Sequence, residues 1–378
     1  MYKLHPNLIK YIDRDRCAEL EAYLLRMQER ALADAGRLKY NDEADAALHR
    51  RVMYFQPILC TPCDRREVAR TIVANPAISE SDKVLNIMLT YMYGPTWTYL
   101  YLTGKTDPML AHVLFDWVAK DPDYVQEIRE NIAYARLHGH SMWTTTELHT
   151  SLQTEARNYV RKRYNQPDRK ADSLDLIEWL ASFKKAGVID KIVKAKTLEE
   201  GYDALTSVRG IGPYFGWNSI AMIANCSFVP YTHDELFCAP GGGAISTLEY
   251  LFEPLREAGH SLRHGPLISW LRLHQRELFP NLYIDTIFQN MDTSYGKLLR
   301  EDQTEYTTNS FEVGCCQFSV YRKFKENPVL IDRRLNPPPI NLEPFKAREA
   351  GNPIMIEKGS KRAAESTIDT KTTLLSFD

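Results

Sequence analysis

Several features are scarce in this sequence of 378 residues, and each absence excludes a class of protein. There is no run of about 20 apolar residues, which excludes a membrane-spanning helix. The 47 basic and 49 acidic residues nearly balance, which excludes a histone-like polycation. Alternating apolar and polar runs are too few for a sheet-based fold, although residues 98–102 read as either a strand or a buried extended link. The remaining composition, 44% hydrophobic and 25% charged, is typical of a soluble globular protein.

The cysteine content indicates a reducing compartment. Seven cysteines, an odd number, occur at irregular spacings, and no signal-like apolar segment begins the chain. Cys60 and Cys63 form a C-x-x-C pair, but no second pair or spaced histidines complete a zinc or iron–sulfur site, which stays a minor alternative. His138 and His140 flank a glycine without a nearby carboxylate pattern, so we interpret them as loop residues. We therefore expect no metal, no cofactor and a cytoplasmic location.

Helical periodicity dominates the chain and predicts an all-α fold. The predicted helices span 14–35, 81–92, 108–119, 123–137, 146–164, 173–186, 245–258, 265–278, 283–300 and 310–324, in addition to a hairpin of two helices between 197 and 224. We predict an N-terminal helical extension over 1–79, a helical domain over 80–326 that allows two lobes with the hairpin at their junction, and a Pro-rich arm with a disordered tail over 327–378.

The hairpin has the local signals of two helices and an anion-binding turn. Thr197 with Glu200 predicts a capping box, and Pro213 suits the first turn of the second helix. Gly210 and Gly212 tolerate positive φ and present backbone N–H groups. Together with the positive end of the second helix, these groups predict a site for one DNA phosphate, bound without regard to base sequence. The alternative is a plain turn between two helices.

A basic stretch precedes the hairpin. Residues 155–196 contain eleven Lys or Arg against six acids, including Arg161, Lys162 and Arg163. Such a stretch is usually a solvated helix face. Beside the hairpin it predicts a surface that follows a phosphate backbone, with Arg209 in the turn as a further contact.

Two candidate sites follow the hairpin. His233 and Asp234 end the segment, and Asp234 lies 22 positions after Gly212, an offset similar to that of the catalytic Asp in helix-hairpin-helix DNA glycosylases. Three glycines at 241–243 then precede a helix, which is a pattern typical of anion binding. They are not a P-loop because the Lys of G-x-x-x-x-G-K-[ST] is absent, so ATP hydrolysis and kinase activity have no support.

These segments and a late FEVGCCQFSVYRKF motif resemble a family of bacteriophage proteins that hypermodify thymine in DNA. This is the α-glutamyl/putrescinyl-thymine pyrophosphorylase or amino acid:DNA transferase group, which shares its helical domain with hydroxymethyluracil DNA kinases. Its Gly-Pro-Gly-Ala motif corresponds to residues 241–244 here, and its Cys-Glu-Phe-x-Lys-Tyr motif to residues 316–321. Gln317 replaces the family's Glu and Val320 replaces its Lys. The order and spacing of the motifs extend the resemblance over about residues 80–326.

The resemblance implies a helix-hairpin-helix DNA-glycosylase-like helical fold and a transferase. Such an enzyme attaches an amino acid, such as glycine or serine, or a polyamine to the C5-methylene of phosphorylated or pyrophosphorylated 5-hydroxymethyluracil in phage DNA, which protects that DNA from host restriction. The implied partners are double-stranded DNA carrying the phosphorylated base, the free amino acid or polyamine, and a P-loop DNA kinase. The implied location is the host cytoplasm, and no membrane is among the implied partners.

The resemblance also implies roles for particular residues. Asp234 is the expected general base or ammonium anchor, with His233 as its partner. The other candidates are Gly210, Gly212 and Arg209 for the DNA backbone; Gly241, Gly242 and Gly243, with Arg209, for the leaving phosphate; Tyr214, Trp217 and Tyr231 for base stacking; and Glu312, Gln317 and Tyr321 as secondary site residues. For Trp217 a core position is the favoured interpretation. The neighbouring Cys315 and Cys316 are expected to be buried rather than reactive.

Two other functions remain open. Bifunctional glycosylases carry a Schiff-base Lys two positions after the second hairpin glycine, and Tyr214 occupies that position here, which excludes a lyase of that type. A monofunctional glycosylase that uses Asp234 remains an alternative, as does a non-catalytic DNA-binding subunit of a base-modification complex.

Overall fold

A computed structural model describes residues 7–34, 69, 71–92, 102–105, 111–137, 150–168, 174–232, 235–282, 305–326, 343 and 346. Within these ranges every regular element is a helix and none is a strand, which confirms the all-α prediction. The likeness to DNA glycosylases in particular stays a prediction. No helix in the described ranges is long and apolar enough to cross a membrane.

The helices largely follow the predicted ones. A short 3-10 helix, Leu8–Lys10, precedes α1. The α-helices are α1 (Arg14–Asp34), α2 (Glu80–Met92), α3 (Phe115–Lys120), α4 (Pro122–Leu137), α5 (Thr150–Tyr164), α6 (Leu174–Lys185), α7 (Val188–Lys194), α8 (Leu198–Thr206), α9 (Pro213–Asn225), α10 (Gly242–Leu251), α11 (Glu253–Glu257), α12 (His264–Leu273), α13 (Gln275–Leu278) and α14 (Thr308–Glu326).

Two predicted helices are each divided in two. The stretch 245–258 breaks at Phe252 because Pro254, in the first turn of α11, has no N–H to continue the hydrogen-bond ladder. The stretch 265–278 breaks at His274, directly before Gln275, whose side chain hydrogen-bonds the backbone N–H of Tyr306 at 2.8 Å and its carbonyl at 3.2 Å. A contact with a distant segment therefore accompanies the second break.

Other differences concern single elements. Helix α7 was not predicted, and it begins after Gly187, whose φ of 71° turns the chain out of α6. Leu102 is helical rather than extended, whereas residues 98–101 lie outside the described residues. The predicted helix 283–300 and the C-x-x-C pair Cys60 and Cys63 also lie outside them.

The chain divides into two compact units. The first, here called the strap unit, contains the described residues within Met1–Cys63, Thr197–Glu199 and Tyr231–Asn336. The second, the hairpin unit, contains those within Asp64–Lys196, Glu200–Pro230 and Pro337–Asp378. The domain boundaries predicted at 79/80 and 326/327 stay predictions.

The hairpin unit has its core around α2, which packs against α6, α7 and α9. Val84, Leu85 and Met88 of α2 are fully buried, as the periodicity predicts. Lys184 of α6 forms ion pairs with Asp82 at 3.0 Å and Asp116 at 2.7 Å. Burial lowers the pKa of Lys184, but hydrogen bonds and charge interactions with the two carboxylates outweigh it and raise the pKa overall. Lys184 therefore has a structural role, because its ion pairs join α6 to α2 and α3.

The strap unit is built on the packing of α10 against α14, with α1 against both. Tyr23 of α1 lies against Phe318 and Tyr321 of α14, with ring centroids 5.5 and 5.0 Å apart. The guanidiniums of Arg16 and Arg322 lie 4.3 and 3.4 Å from the ring centroid of Tyr250 on α10. These contacts fix the C-terminal end of α10 against α1 and α14, whereas the predicted glycine cluster lies at the opposite end of α10.

Candidate functional site

The predicted hairpin is present as α8 and α9, joined by residues 207–212. Gly210 has φ of 91°, so the turn needs the left-handed conformation that glycine adopts without strain. Gly212 is the N-cap of α9 and Pro213 occupies its first turn, as predicted. A Cβ on Gly216 would lie 2.6 Å from Thr206 Cγ2, so the two helices approach each other closely at that glycine.

Two carboxylates lie at the start of α8. Glu200, the acidic residue of the predicted capping box, reaches back and accepts a hydrogen bond at 2.8 Å from the N–H of Lys196. The N–H of Leu198, the first residue of α8, donates to Glu235 Oε2 at 2.7 Å. A distant carboxylate thus completes the helix start.

The turn of the hairpin has an accessible anion-binding geometry. A Cβ built on Gly212 meets no heavy atom within 4 Å, so the N-terminus of α9 borders open space. The first N–H groups of a helix have no intrahelical partner. Arg209 is 86% exposed, and its Nε lies 3.1 Å from Glu155 Oε1 of α5. These features fit the predicted contact with a DNA phosphate, and that role stays a prediction.

Helix α5 carries part of the predicted basic stretch beside the turn. Arg161, Lys162 and Arg163 lie in its last turn, and the latter two are exposed. Arg163 NH1 is 3.6 Å from Glu178 Oε2. The contact of Arg209 with Glu155 places the hairpin turn beside α5 within the hairpin unit, and a basic surface that spans both stays a prediction.

His233 and Asp234, the predicted catalytic residues, lie outside the described residues. Residues 235–241, which follow them directly, form an extended segment in the strap unit that we call the strap. The carbonyl of Glu235 accepts from Thr308 Oγ1 at 3.0 Å, and that of Leu236 accepts from Ser269 Oγ. At the other end the N–H of Gly241 donates to Glu312 Oε1 at 3.0 Å. The strap is therefore fixed at both ends.

The strap also lies directly on the start of α12. A Cβ on Gly265 would be 2.4 Å from the carbonyl oxygen of Cys238, a distance at which no side chain fits. Gly265 therefore permits the close backbone approach. Ser269, one turn later on the same helix, donates to the strap as described above, so α12 supports its middle.

The glycine cluster has two different environments. Gly241 is the N-cap of α10, and its N–H is bound to the carboxylate of Glu312, which is 1% exposed. A Cβ on Gly243 would lie 2.7 Å from Cys316 Sγ and 3.0 Å from the Cys316 carbonyl oxygen, so this glycine lets α10 and α14 pack closely. Gly242 has no heavy atom within 4 Å of its Cβ position. The predicted phosphate pocket stays a prediction, and Gly242 is the glycine that borders open space.

Two substitutions of Glu312 should distinguish how much its hydrogen bond to Gly241 contributes to stability from how much its side-chain packing contributes. Leu at this position leaves the buried N–H of Gly241 without its acceptor, whereas Gln retains a carbonyl oxygen there. We expect Glu312→Leu to lower the free energy of unfolding by about 1–3 kcal/mol more than Glu312→Gln does. Urea unfolding followed by circular dichroism measures both. Equal losses in the two variants would show that the hydrogen bond contributes nothing.

The neighbouring thiols belong to the core. Cys315 is fully buried, and burial together with Glu312 raises the pKa of its thiol. The pKa of Cys316 is raised to about 12 by burial and by Glu312, although the N–H groups of Gly243 and Ala244 lower it in part. Thiols with such pKa values carry little thiolate at neutral pH, so neither is poised as a nucleophile.

The three stacking candidates differ in burial. Trp217 is 0% exposed on α9 in the core of the hairpin unit, which favours the core interpretation. Tyr231 is 1% exposed in the strap unit, and burial and the charge of Glu235 raise its pKa. Tyr214, in the first turn of α9, is partly exposed. Of the three, Tyr214 is the residue placed where a base has access, and stacking stays a prediction.

The secondary candidates lie on α14. Glu312 binds the N-cap of α10, whereas Tyr321 packs on Tyr23 further along the helix. Gln317 is partly exposed, with its Oε1 buried. The structure thus brings Glu312, but not Tyr321, to the strap.

Sequence reasoning missed the residues that hold the strap. Ser269 is a single polar position between apolar residues of α12, Thr308 lies in a polar run, and Glu235 adjoins the more conspicuous Asp234. The polar run Thr307–Ser310 before Phe311 was a usable signal, because such residues favour helix N-termini. Among the described residues no group of three or more His, Cys, Asp or Glu side chains is arranged to hold a metal ion. His138 and His140 lie outside them.

Within the described residues, these features define a helical protein with a glycine-containing hairpin in one unit and, in the other, a strap held by hydrogen bonds at both ends. The family described as 5-hmdU DNA kinase, helical domain, matches residues 64–325. The chain belongs to this family, which relates it to the enzymatic modification of hydroxymethyluracil in DNA. No curated protein and no solved structure matches the chain.

Proposed function

We propose that this chain is a phage DNA-modifying transferase. It attaches an amino acid, such as glycine or serine, or a polyamine to the C5-methylene carbon of phosphorylated or pyrophosphorylated 5-hydroxymethyluracil in DNA. The observation that carries the proposal is that the chain belongs to the family of the 5-hmdU DNA kinase helical domain. Its glycine cluster lies against the carboxylate of Glu312 and has no P-loop Lys. The chain lacks the P-loop Lys that would bind the phosphates of ATP, so a reaction other than phosphoryl transfer from ATP is supported.

In the proposed step the donor nitrogen attacks the methylene carbon on C5. A C–N bond forms, the C–O bond to the phosphate breaks, and phosphate or pyrophosphate leaves with the electron pair. The donor nitrogen, an ammonium group in solution, first loses one proton to water, and after the attack a second proton passes from it to a base, for which Asp234 is the candidate and His233 its partner. Gly242 is the candidate for binding the leaving phosphate because it borders open space. The N–H of Gly241 is bound to Glu312, and Gly243 packs against Cys316.

The hairpin unit would hold the DNA. The N-terminus of α9 at Gly212, with Arg209 and the end of α5, provides N–H groups and positive charge for one strand's phosphates. A thymine-type base is then displaced from the stack for the reaction, at a cost of roughly a few kcal/mol. A P-loop DNA kinase supplies the phosphorylated base. The resulting hypermodified thymine protects viral DNA from host restriction.

Mass spectrometry of nucleosides tests the proposal. Duplex DNA containing phosphorylated hydroxymethyluracil is incubated with the protein and with glycine, serine or putrescine, then digested to nucleosides. The expected product is the donor joined to the C5-methylene group, with stoichiometric release of phosphate or pyrophosphate. Released free base and abasic sites would instead identify a glycosylase. Binding of DNA without an adduct from any donor would instead support the alternative of a non-catalytic DNA-binding subunit.

Arg209 should contribute to DNA affinity without regard to sequence. Replacing it by Gln removes one positive charge from the hairpin turn, so we expect several-fold weaker DNA binding and a reduction of about 1 in the slope of log K against log salt concentration. In its ion pair with Glu155 the Arg209 side chain is 86% exposed and that of Glu155 is 20% exposed, so we expect the loss of stability to stay within about 1 kcal/mol. Arg129→Gln, which changes an exposed arginine on α4 of the same unit, is the control. An unchanged salt slope for Arg209→Gln would refute a phosphate contact there.

A further inference from the structure

An open cleft of about 440 Å³ lies beside the strap within the strap unit. Helix α13 and the end of α12 form its walls, together with Leu236 of the strap and Glu305. Leu236 and Leu273 are 43% and 63% exposed and provide an apolar rim. The cleft has room for a small organic molecule.

The charges of the cleft are mixed and nearly balanced. Arg272 and Arg276 line it together with Glu277 and Glu305. Arg276 Nε pairs with Glu305 Oε1 at 2.6 Å, and Glu277 Oε1 pairs with Arg14 NH2 at 2.7 Å. A groove for DNA phosphates would be lined by positive charge alone. Alternating charges match a zwitterion, with one anionic and one cationic end.

Arg272 links the cleft to the strap. Its NH1 is 3.4 Å from Thr308 Oγ1, and the same hydroxyl donates to the carbonyl of Glu235 at 3.0 Å. The Thr308 hydroxyl thus lies between the Arg272 guanidinium and Glu235, the residue that directly follows Asp234 in the chain. A carboxylate held by this guanidinium, which matches carboxylates in a two-point geometry, would lie near the beginning of the strap.

His274 has a fixed orientation in the same cleft. Its ring is stacked on Trp270, with centroids 4.3 Å apart, and Nδ1 lies 2.9 Å from the Trp270 carbonyl oxygen. Since a carbonyl only accepts hydrogen bonds, Nδ1 carries the proton, and in the neutral ring Nε2 is an acceptor. The cleft therefore offers donors for a carboxylate and acceptors for an ammonium group.

We propose that this cleft binds the donor substrate as an α-amino acid, with its carboxylate on Arg272 and its ammonium group facing His274, Glu277 and Glu305. This inference rests on the proposed transferase function, and it selects amino acids over polyamines. A polyamine has no anionic group for Arg272 and is repelled by it. Arg272 is then a substrate-binding residue that sets donor specificity.

A donor series on the full chain tests the inference. Adduct formation is measured with glycine, glycinamide and putrescine, of which glycine alone carries a carboxylate. We expect KM to be at least about tenfold higher for glycinamide and putrescine than for glycine, and Arg272→Gln to raise KM for glycine about 10–100-fold. Arg272→Lys, which retains the charge, should be intermediate. KM for DNA should not change, and Arg256→Gln, an exposed arginine paired with Glu253, is the control.

Direct binding of glycine to the protein without DNA gives a second readout, by saturation-transfer NMR. Loss of the signal in Arg272→Gln supports the cleft, whereas retention overturns it. Equal use of glycine and glycinamide, or an increase in KM for DNA instead of glycine, would also overturn it and leave the transferase standing. If no donor gives an adduct, the proposed function fails, and the NMR measurement alone decides whether the cleft binds an amino acid.

Discussion

Replacing Asp234 by Asn is expected to reduce the rate of adduct formation by about 10²–10⁴-fold, the usual contribution of a positioned general base. Asn retains the size of the side chain but cannot take the proton that the attacking amine releases. Asp234 lies 22 positions after Gly212 and directly before the strap, whose backbone is fixed at Glu235 by Thr308. Single-turnover adduct formation on phosphorylated hydroxymethyluracil DNA measures the effect.

DNA affinity should be unchanged in Asp234→Asn, because the proposed backbone contacts lie in the hairpin unit. Glu257→Gln serves as the control, since Glu257 is an exposed carboxylate at the end of α11. A normal rate in Asp234→Asn would exclude a catalytic role and favour the non-catalytic DNA-binding alternative. A similar loss in both variants would point to general charge effects on DNA association.

The second large effect is expected at Gly243. An added Cβ would meet Cys316 Sγ at 2.7 Å and the Cys316 backbone oxygen at 3.0 Å, so α10 and α14 would have to separate. Overpacking of this kind costs about 1–3 kcal/mol, and we expect Gly243→Ala to lower the free energy of unfolding by that amount. The same change would disturb the bond between Gly241 and Glu312, because both join the same two helices. Urea unfolding measures the loss.

Gly242→Ala provides a matched control one residue away. No heavy atom lies within 4 Å of its Cβ position, so we expect unchanged stability or a gain of about 0.4–1 kcal/mol. If Gly242 also contacts the leaving phosphate, this variant should react more slowly while remaining fully folded. Equal stability of Gly242→Ala and Gly243→Ala would show that the packing of α10 on α14 tolerates the extra methyl group.

The hairpin was predictable because its signals are local. Two glycines, a proline and the apolar spacing of the flanking helices lie within 28 residues, and the structure has α8 and α9 where they indicate. The breaks at Phe252 and His274 were harder to predict. Pro254 was a local signal for the first, whereas the second accompanies a hydrogen bond from the N–H of Tyr306 to Gln275 Oε1, 31 residues away.

The sequence by itself determined the helical class, the hairpin and the absence of a P-loop, because each depends on periodicity or on residues that are near one another in the chain. Only the tertiary structure decided the use of the glycine cluster: it placed Glu312 at the N–H of Gly241, 71 residues earlier, and Cys316 against Gly243. It likewise brought Arg272 to the strap through Thr308. A buried carboxylate, a close helix contact and a mixed-charge cleft arise from packing between distant segments, which no local pattern records.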